Sequence, residues 1–343
     1  MVRKLLPAPP PTSVRIPFRQ AILVFLVGFS LPIFAQVEFK TEAEGVAVAI
    51  NGKPFTVLHY GRAENKPFLH PLLTPSGKNV LRGFPVAPLA GDPTDRPHQR
   101  GLWVGSEGVT GPDGKADFWE NDPLYPSEGK GRIVFQKLLE STNGKDQGRL
   151  AFTTQWISPQ GKVWVNERRT LIFYSQPANC RMLDLHVDLE AAVPITFDDE
   201  QDGILGLRLS LPFDDHYDGM VVNEKGLTQE DVRGQRSPWL DWTADLDPRE
   251  YSKSIHGSGE RIGVAVFDHP ANHNYPGRWQ VRTSGVYILS PFGGKAFAQF
   301  DQTAQDATHA MKRGDKLQFR YRIVIHPGEM SIAPFFKAWT GQK

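Results

Sequence analysis

Leu183-Asp184-Leu185-His186-Val187-Asp188-Leu189 carries an apolar side chain at every odd position and a polar one at every even position. Side chains alternate across a strand with a period of two, so this heptapeptide reads as a β-strand with one buried face and one wet face. The signal recurs in both directions. Leu317-Gln318-Phe319-Arg320-Tyr321-Arg322-Ile323-Val324-Ile325 repeats it towards the C-terminus. On the other side Leu150, Phe152, Thr154 and Trp156 alternate with Ala151, Thr153 and Gln155, Ser158-Pro159-Gln160-Gly161 turns the chain, and Val163 to Tyr174 returns. Val46 to Ile50 and Phe55 to Tyr60 flank Asn51-Gly52, a dipeptide that favours the tight turn of a hairpin. Helical periodicity is confined to Ile332 to Trp339.

Prolines and glycines are spread along the chain, and neither an internal repeat nor a break in composition marks a boundary. Many strands and turns without α-crossovers predict an all-β fold: one large antiparallel β-sandwich, or an extended double-sheet sandwich, over residues 36–343. The first 35 residues stand apart. Arg3, Lys4, Arg15 and Arg19, with no acid, precede an almost unbroken apolar run from Ala21 to Phe34, and Ile33-Phe34-Ala35 offers a cleavage site before Gln36. This is the pattern of a secretory signal peptide, and the run is shorter than the ~20 residues of a spanning helix. A periplasmic or secreted location follows as an expectation. Without the leader, the 39 basic side chains fall to 35 against 38 acids, so the formal net charge moves from +1 to −3. Such a dispersed acidic balance gives no reason to expect nucleic acid or an anionic membrane as partner. Cys180 is the single cysteine, so no internal disulfide forms and a core of this size must stand alone. In its strand-like setting Cys180 reads as a small apolar core residue.

The chemistry gathers between Asp95 and Glu120, where His98, Arg100, Trp103, Glu107, Asp117, Trp119 and Glu120 sit on backbone punctuated by glycine and proline. Turn-rich segments bring functional groups to the surface of a rigid scaffold, and Pro97 biases Arg96 towards extended backbone. Three other segments share this character at the ends of predicted strands. Phe197 to Gly203 holds Asp198, Asp199, Glu200 and Asp202; Gly234 to Trp242 holds Arg236, Trp239 and Asp241; Phe267 to Trp279 holds Asp268, His269, Asn272, Arg278 and Trp279. Loops at one edge of a sheet can converge, which makes these four segments the expected walls of a site. A plainer reading stands beside each. Asp268-His269-Pro270 is then a turn capped by its aspartate, Asp198 to Asp202 a solvated acidic turn, and Asp184, His186 and Asp188 the wet side of a sheet.

Pro97-His98-x-Arg100-Gly101-Leu102-Trp103, Asp117-Phe118-Trp119, Asp199-x-x-Asp202-Gly203, Arg236-x-x-Trp239-x-Asp241 and Asp268-His269-Pro270-x-Asn272, followed by Arg278-Trp279, resemble the signature of a bacterial family of β-proteins named the PmoA family. The resemblance runs from about Val46 to Pro327. Where that family reads D-H-P-H-H-R and H-G-D-V-N-G, this chain has Asp95-Arg96-Pro97-His98-Gln99-Arg100 and Ser106-Glu107-Gly108-Val109-Thr110-Gly111. Arg96, Gln99 and Ser106 thus replace three family histidines, which argues against a His-rich metal site. The methane oxygenase activity with which the PmoA family is also labelled is not expected, since it needs several spanning helices and nothing after Phe34 is apolar for long enough. The resemblance implies instead a fold similar to galactose-mutarotase-like sandwiches, in a setting of sugar-handling enzymes, and fold does not fix function.

Three readings of the site stay open. In the first, an exported enzyme acts on a carbohydrate by hydrolysis, elimination or epimerisation. Trp103, Trp119, Trp239 and Trp279 would stack on sugar faces, and Arg100, Arg236 and Arg278 would fork onto hydroxyls or a uronate carboxylate. His98 or His269 would move the proton, with Glu120, Asp199, Asp202, Asp241 and Asn272 completing the binding set. The specific expectation is His98 as base, with Arg100 or Arg278 as the cation that holds the developing anion. In the second, the same aromatics and arginines serve a carbohydrate-binding or sensing protein without catalysis. Neither of these needs a cofactor. In the third, His98, His269 and a carboxylate such as Asp268 ligate a single metal ion. His269 and His273 are four apart, but Pro270 and Pro276 rule out the helix that would pair them. The sequence has no Gly-rich phosphate loop, nucleophile-elbow serine or cysteine ligand cluster.

Overall fold

In the computed structural model, which describes residues 36–124, 127–246, 259–282 and 284–341, the alternating heptapeptide lies inside the strand Arg181–Ala191. The leader expected at residues 1–35 falls outside the described residues. Arg181–Ala191 belongs to an eight-stranded antiparallel sheet, the first sheet. Its order is Met220–Asn223, Trp239–Leu246, Glu260–Asp268, Lys316–Pro327, Arg181–Ala191, Val163–Tyr174, Gln147–Ile157, Arg132–Thr142. A second sheet, also of eight strands, is ordered Val37–Glu42, Gly45–Ile50, Lys53–His59, Phe68–Leu72, Leu102–Ser106, Gly203–Arg208, Val286–Ser290, Arg278–Arg282. A small sheet of four strands joins His309–Met311, Ile195–Phe197, Val109–Gly111 and Gly114–Ala116. No described helix is long and apolar enough to cross a membrane.

The two large sheets face each other across one apolar core. Leu183, Leu185, Val187 and Leu189 meet Phe319, Tyr321 and Ile323 of their own sheet and Val46, Val48, Leu102, Val104, Leu205, Leu207 and Leu289 of the other. Aromatic edges knit the layers: Phe55 against Phe173 at 6.0 Å and Trp242 against Tyr287 at 5.3 Å. The Tyr287 hydroxyl also donates to the Val264 carbonyl at 2.7 Å. Each large apolar side chain buried this way contributes about 1.5–3 kcal/mol, and Cys180 is buried as expected. The protein is an antiparallel β-sandwich.

The outer face of the first sheet departs from its sequence reading. Asp184, expected on the wet side, is buried. It accepts hydrogen bonds from Arg322 at 2.6 and 2.8 Å, from the Tyr174 hydroxyl at 2.8 Å and from Trp339 Nε1 at 3.3 Å. The cause is the helix Ala333–Thr340, which lays Phe336 and Trp339, with Ile332 just before it, over Met182, Ala265, Phe267 and Val324. A period-two pattern reports which face is apolar enough for a core. It is silent about a later element that caps the other face.

Inside the sandwich, Glu167 is wholly enclosed and accepts from Thr154 Oγ1 at 2.6 Å, Trp156 Nε1 at 2.9 Å and Arg169 Nε at 2.6 Å. A buried charge pair is tolerated only with its partners in place. Glu167→Ala, which strands the Arg169 guanidinium, is expected to remove about 3–5 kcal/mol of stability, measured from the urea midpoint. A loss below about 1 kcal/mol would show that the pair can be broken freely.

Candidate functional site

The register of the second sheet aligns Phe68 with Trp103, Trp103 with Gly206 and Gly206 with Ile288. Arg208 aligns with Val286, Gln280 with Ile288 and Arg282 with Val286. Partners across a ladder share a face, and this one is the face turned away from the core. Phe68, Trp103, Trp119, Val286 and Ile288 build a second buried apolar layer on it. The Trp103 and Trp119 rings lie 5.0 Å apart over Gly206, where an added Cβ would come within 2.4 Å of Trp103 and 2.7 Å of Trp119. Glycine is therefore required there by close approach. Trp103, Trp119 and Trp279 are each 0% exposed, and Trp279 Nε1 donates to the Ser237 carbonyl at 2.8 Å. Three of the four tryptophans expected to stack on sugar are thus wholly enclosed packing residues.

A polar layer surrounds this aromatic one. The segment from Pro93 to Gln99 is clamped by two buried guanidiniums. Arg82 donates to the carbonyls of Pro93, Asp95, Arg96 and Gln99 at 3.2, 2.7, 2.9 and 3.2 Å. Arg208 donates to Gln99 Oε1 at 2.8 Å and to Asp95 Oδ1 at 3.4 Å. The clamp holds Arg96 at φ 46°, left-handed rather than the extended backbone expected before Pro97. Such a conformation costs about 1–3 kcal/mol and persists where surrounding bonds over-determine it. His98, two residues on, is buried with Nε2 unpartnered. Burial, with the cations Lys66, Arg96, Lys130 and Arg82 around it, pushes its imidazole down to about 2. It stays uncharged and is a poor base.

Two carboxyls fare differently. Glu107 follows the strand Leu102–Ser106, its backbone N–H bonded to the Asp202 carbonyl at 3.0 Å. The Asp202 side chain is buried with Oδ1 unpartnered. Burial raises the Glu107 carboxyl to about 7, helped by the negative charges of Asp202, Glu200, Asp117 and Glu120. Burial also raises Asp202, against the pull of Arg282 and Arg96. Glu107 makes no side-chain hydrogen bond or ion pair among the described residues. A carboxyl that exchanges its proton near neutral pH, free of an internal partner, is equipped for acid–base work. Around the pair stand Glu120, bonded to Lys130 at 3.2 Å, and Asp117, which accepts from Lys130 at 2.5 Å and from the N–H groups of Trp119 and Glu120. Gln280 donates to Gln201 at 2.6 Å and accepts from Arg233 at 2.8 Å.

The other expected residues fall elsewhere. Arg100 is engaged by Asp122 at 2.8 Å and Glu64 at 2.9 Å, and Arg278 by the Gly234 carbonyl at 2.8 Å and Asp301 at 2.6 Å. Neither guanidinium is free to hold a developing anion. Asp199 accepts from the backbone N–H groups of Gly294, Lys295, Ala296 and Ala307 at 2.6–3.1 Å, which pins a loop. Arg236 donates to Asn274 and to the Pro276 carbonyl, and Asn272 bridges Asp268 and the Arg320 backbone. With Asp268 accepting from the Gly277 N–H at 2.8 Å, that segment is the aspartate-capped turn. Trp239 packs against the helix cluster, Asp241 pairs with buried His326 at 3.1 Å, and the His269 ring meets Trp339 at 4.9 Å. All three lie on the outer face of the first sheet, across the sandwich from His98. The segments meet in pairs rather than as four: Asp95 to Glu120 joins Phe197 to Gly203 through the Glu107 N–H on the Asp202 carbonyl at 3.0 Å, and Gly234 to Trp242 joins Phe267 to Trp279 through the Gly234 N–H on the Trp279 carbonyl at 2.8 Å. The set of His98, His269 and Asp268 is not assembled among the described residues. Among the described residues, a trio with ligand atoms close enough for an ion is the solvent-facing Asp214, Asp215 and His216.

Sequence reasoning passed over Arg282 and gave Glu107 no role. Arg278, Gln280 and Arg282 alternate with Trp279 and Val281, and that polar row on a core strand was a usable signal. Glu107 was marked by an acid placed between a strand end and Gly108.

The whole is an antiparallel β-sandwich with a charged, partly enclosed layer on one outer face. The chain belongs to a family of unknown function, DUF6807, whose profile matches residues 45–340. No curated protein matches the sequence. Among solved structures it is similar to galactose 1-epimerase from Lactobacillus acidophilus NCFM, at 8% identity and TM-score 0.37, over 86% of this chain and 98% of that one. It is similar to a GalM/aldose epimerase homologue from C. elegans, at 9% identity and TM-score 0.30, over 85% and 98%. It is also similar to a polysaccharide lyase, at 10% identity and TM-score 0.33, over 89% of this chain but only 34% of the lyase. Likeness at this level says nothing of ligand or activity.

Gly206→Ala, by driving a methyl into the tryptophan pair, is expected to lower stability by about 1–3 kcal/mol and to alter the near-ultraviolet circular dichroism. An unchanged midpoint and spectrum would show slack in that layer.

Proposed function

We propose that the outer face of the second sheet binds a sugar or sugar derivative and that Glu107 moves a proton on it, in an epimerisation, elimination or hydrolysis. The observation that carries this reading is the Glu107–Asp202 neighbourhood: two carboxyls raised by burial, neither held by an internal ion pair, beside hydrogen-bonding side chains of both kinds. Proton transfer is most effective when the group's pKa lies near the working pH, which Glu107 meets and His98 does not. Arg96, whose acids stand no nearer than 3.9 Å, and His98, whose Nε2 has no partner, supply hydrogen-bonding groups that a polyol can use. Arg100, Asp199, Arg236, Asn272 and Arg278 are all engaged in internal bonds, so the proposed chemistry does not rest on them. With its leader removed, the protein would act outside the cytoplasm.

The test is a thermal-shift and turnover screen of the mature protein against aldoses, keto-sugars, uronates and oligosaccharides. A ligand that binds only the folded state raises the midpoint. Glu107→Gln is expected to keep binding and to lower turnover by roughly 10²–10⁴-fold, and the wild-type rate profile should inflect near pH 7. If no sugar shifts the midpoint, or if Glu107→Gln turns over at the wild-type rate, the reading is wrong. Binding without any turnover would leave a carbohydrate-binding protein.

A stability measurement checks the same group independently. The Glu107 carboxyl is raised on folding, so its contribution is full below the unfolded value and is lost as pH rises through about 7. Glu107→Gln should flatten that part of the pH profile and raise the midpoint at pH 8 by roughly 1–3 °C. A lower midpoint at pH 8 would show that the carboxylate has an internal partner.

A further inference from the structure

The strand Arg278–Arg282 turns Trp279 and Val281 into the core and Arg278, Gln280 and Arg282 to the outer face. Arg278 and Gln280 have the partners described above. Arg282 has none: it is half-buried, its Nε is hidden from solvent without an acceptor, and no carboxylate among the described residues stands within ion-pair distance. Its neighbours are cations. Across the register lies Val286, and beyond that Arg208, whose clamp fixes the segment bearing Arg96. Arg96 has only distant acids, Asp95 and Glu120, each at 3.9 Å. Arg233 is held on Gln280 at 2.8 Å and over the Phe300 ring at 4.8 Å. Burial, with Arg96 and Arg233 nearby, lowers the Arg282 pKa against the pull of Asp202 and Asp95. A guanidinium kept partly out of water beside like charges is costly unless an anion arrives to complete it.

We infer that Arg282, flanked by Arg96 and Arg233, holds the carboxylate of a sugar acid whose hydroxyls and reacting carbon lie towards Glu107 and Asp202. The inference rests on the reading of this face as a sugar site. A carboxylate fits for two reasons. Its two coplanar oxygens match the fork of a guanidinium. A single negative charge is also what the surroundings accept, because Asp202, Glu107, Asp117 and Glu120 close off the neighbouring space to a dianion such as a phosphate.

Titration calorimetry of the mature chain, with glucuronate, galacturonate, glucose, galactose and glucose 6-phosphate as probes, decides the matter. The uronates should bind more tightly than the neutral sugars, with affinity falling as salt is added. Arg282→Gln should weaken the uronates by roughly 10- to 100-fold, the worth of one charged hydrogen bond, and leave neutral sugars unaffected. Arg282→Lys, which keeps the charge and loses the fork, should fall between. Because the Arg282 side chain makes no hydrogen bond or ion pair among the described residues, its variants should unfold near the wild-type midpoint, which separates lost binding from lost fold. Equal uronate binding by wild type and Arg282→Gln, or a preference for neutral sugars or glucose 6-phosphate, would overturn the carboxylate subsite while leaving the sugar site standing. Absence of binding by every probe would overturn both.

Discussion

Two guanidiniums, Arg82 and Arg208, donate into the segment from Pro93 to Gln99, and the outer face of the second sheet depends on that clamp. A sandwich needs only the inner face of each sheet, so an outer face that is apolar must be covered by something else. Phe68, Trp103, Trp119, Val286 and Ile288 make this outer face apolar. A loop can cover such a layer only if its own backbone polar groups find partners, and the clamp supplies them. The strained Arg96 and the uncharged His98 follow from it, because the same bonds that seat the loop fix where those residues stand.

The fold was legible because alternation is a local property. Leu183 to Leu189 carries its own evidence for a strand, and Asn51-Gly52 for a hairpin. What covers the second face of a sheet is decided at long range. Asp184 looked wet until the helix Ala333–Thr340, some 150 positions later in the chain, came to lie over it. The site was legible only in part, for the same reason. Asp95 to Glu120 carries its cluster of polar groups openly in the sequence, and it holds Glu107. Trp239, Asp241 and His269 share its composition, yet strand parity sends them to the other side of the sandwich. Composition says that a loop is rich in chemistry; the register of the strand it leaves says which face receives it.

Residue type also misled about rank. Arginine, tryptophan and histidine are the residues one expects to meet a ligand, and here they largely build the frame. Arg82 and Arg208 hold the backbone, Arg100 and Arg278 neutralise Asp122 and Asp301, and Trp103 and Trp119 fill the layer beneath. A guanidinium with several donors and a large indole are good at satisfying carbonyls and filling space, which are tasks that a sheet-covering loop creates in number. On this face, the charged side chains without a full set of internal partners among the described residues are Glu107, Arg282 and, in part, Arg96 and Asp202.

Two carboxyls among the described residues are raised by burial to about 7, and their surroundings differ. Asp268 is enclosed, with one oxygen on the Gly277 N–H and the other on the Asn272 amide. Its raised pKa measures only the cost of its burial, and its bonds tie the turn that follows. Glu107 is raised as far, but it is partly open and has neither bond, and the charged groups around it are the acids Asp202, Glu200, Asp117 and Glu120. A perturbed carboxyl with its valences filled is a strut, whereas one with them empty is ready to be completed by something that arrives from outside. In this protein the difference lies in the bonds each carboxyl makes, and it is the ground on which the chemistry is proposed for the outer face of the second sheet.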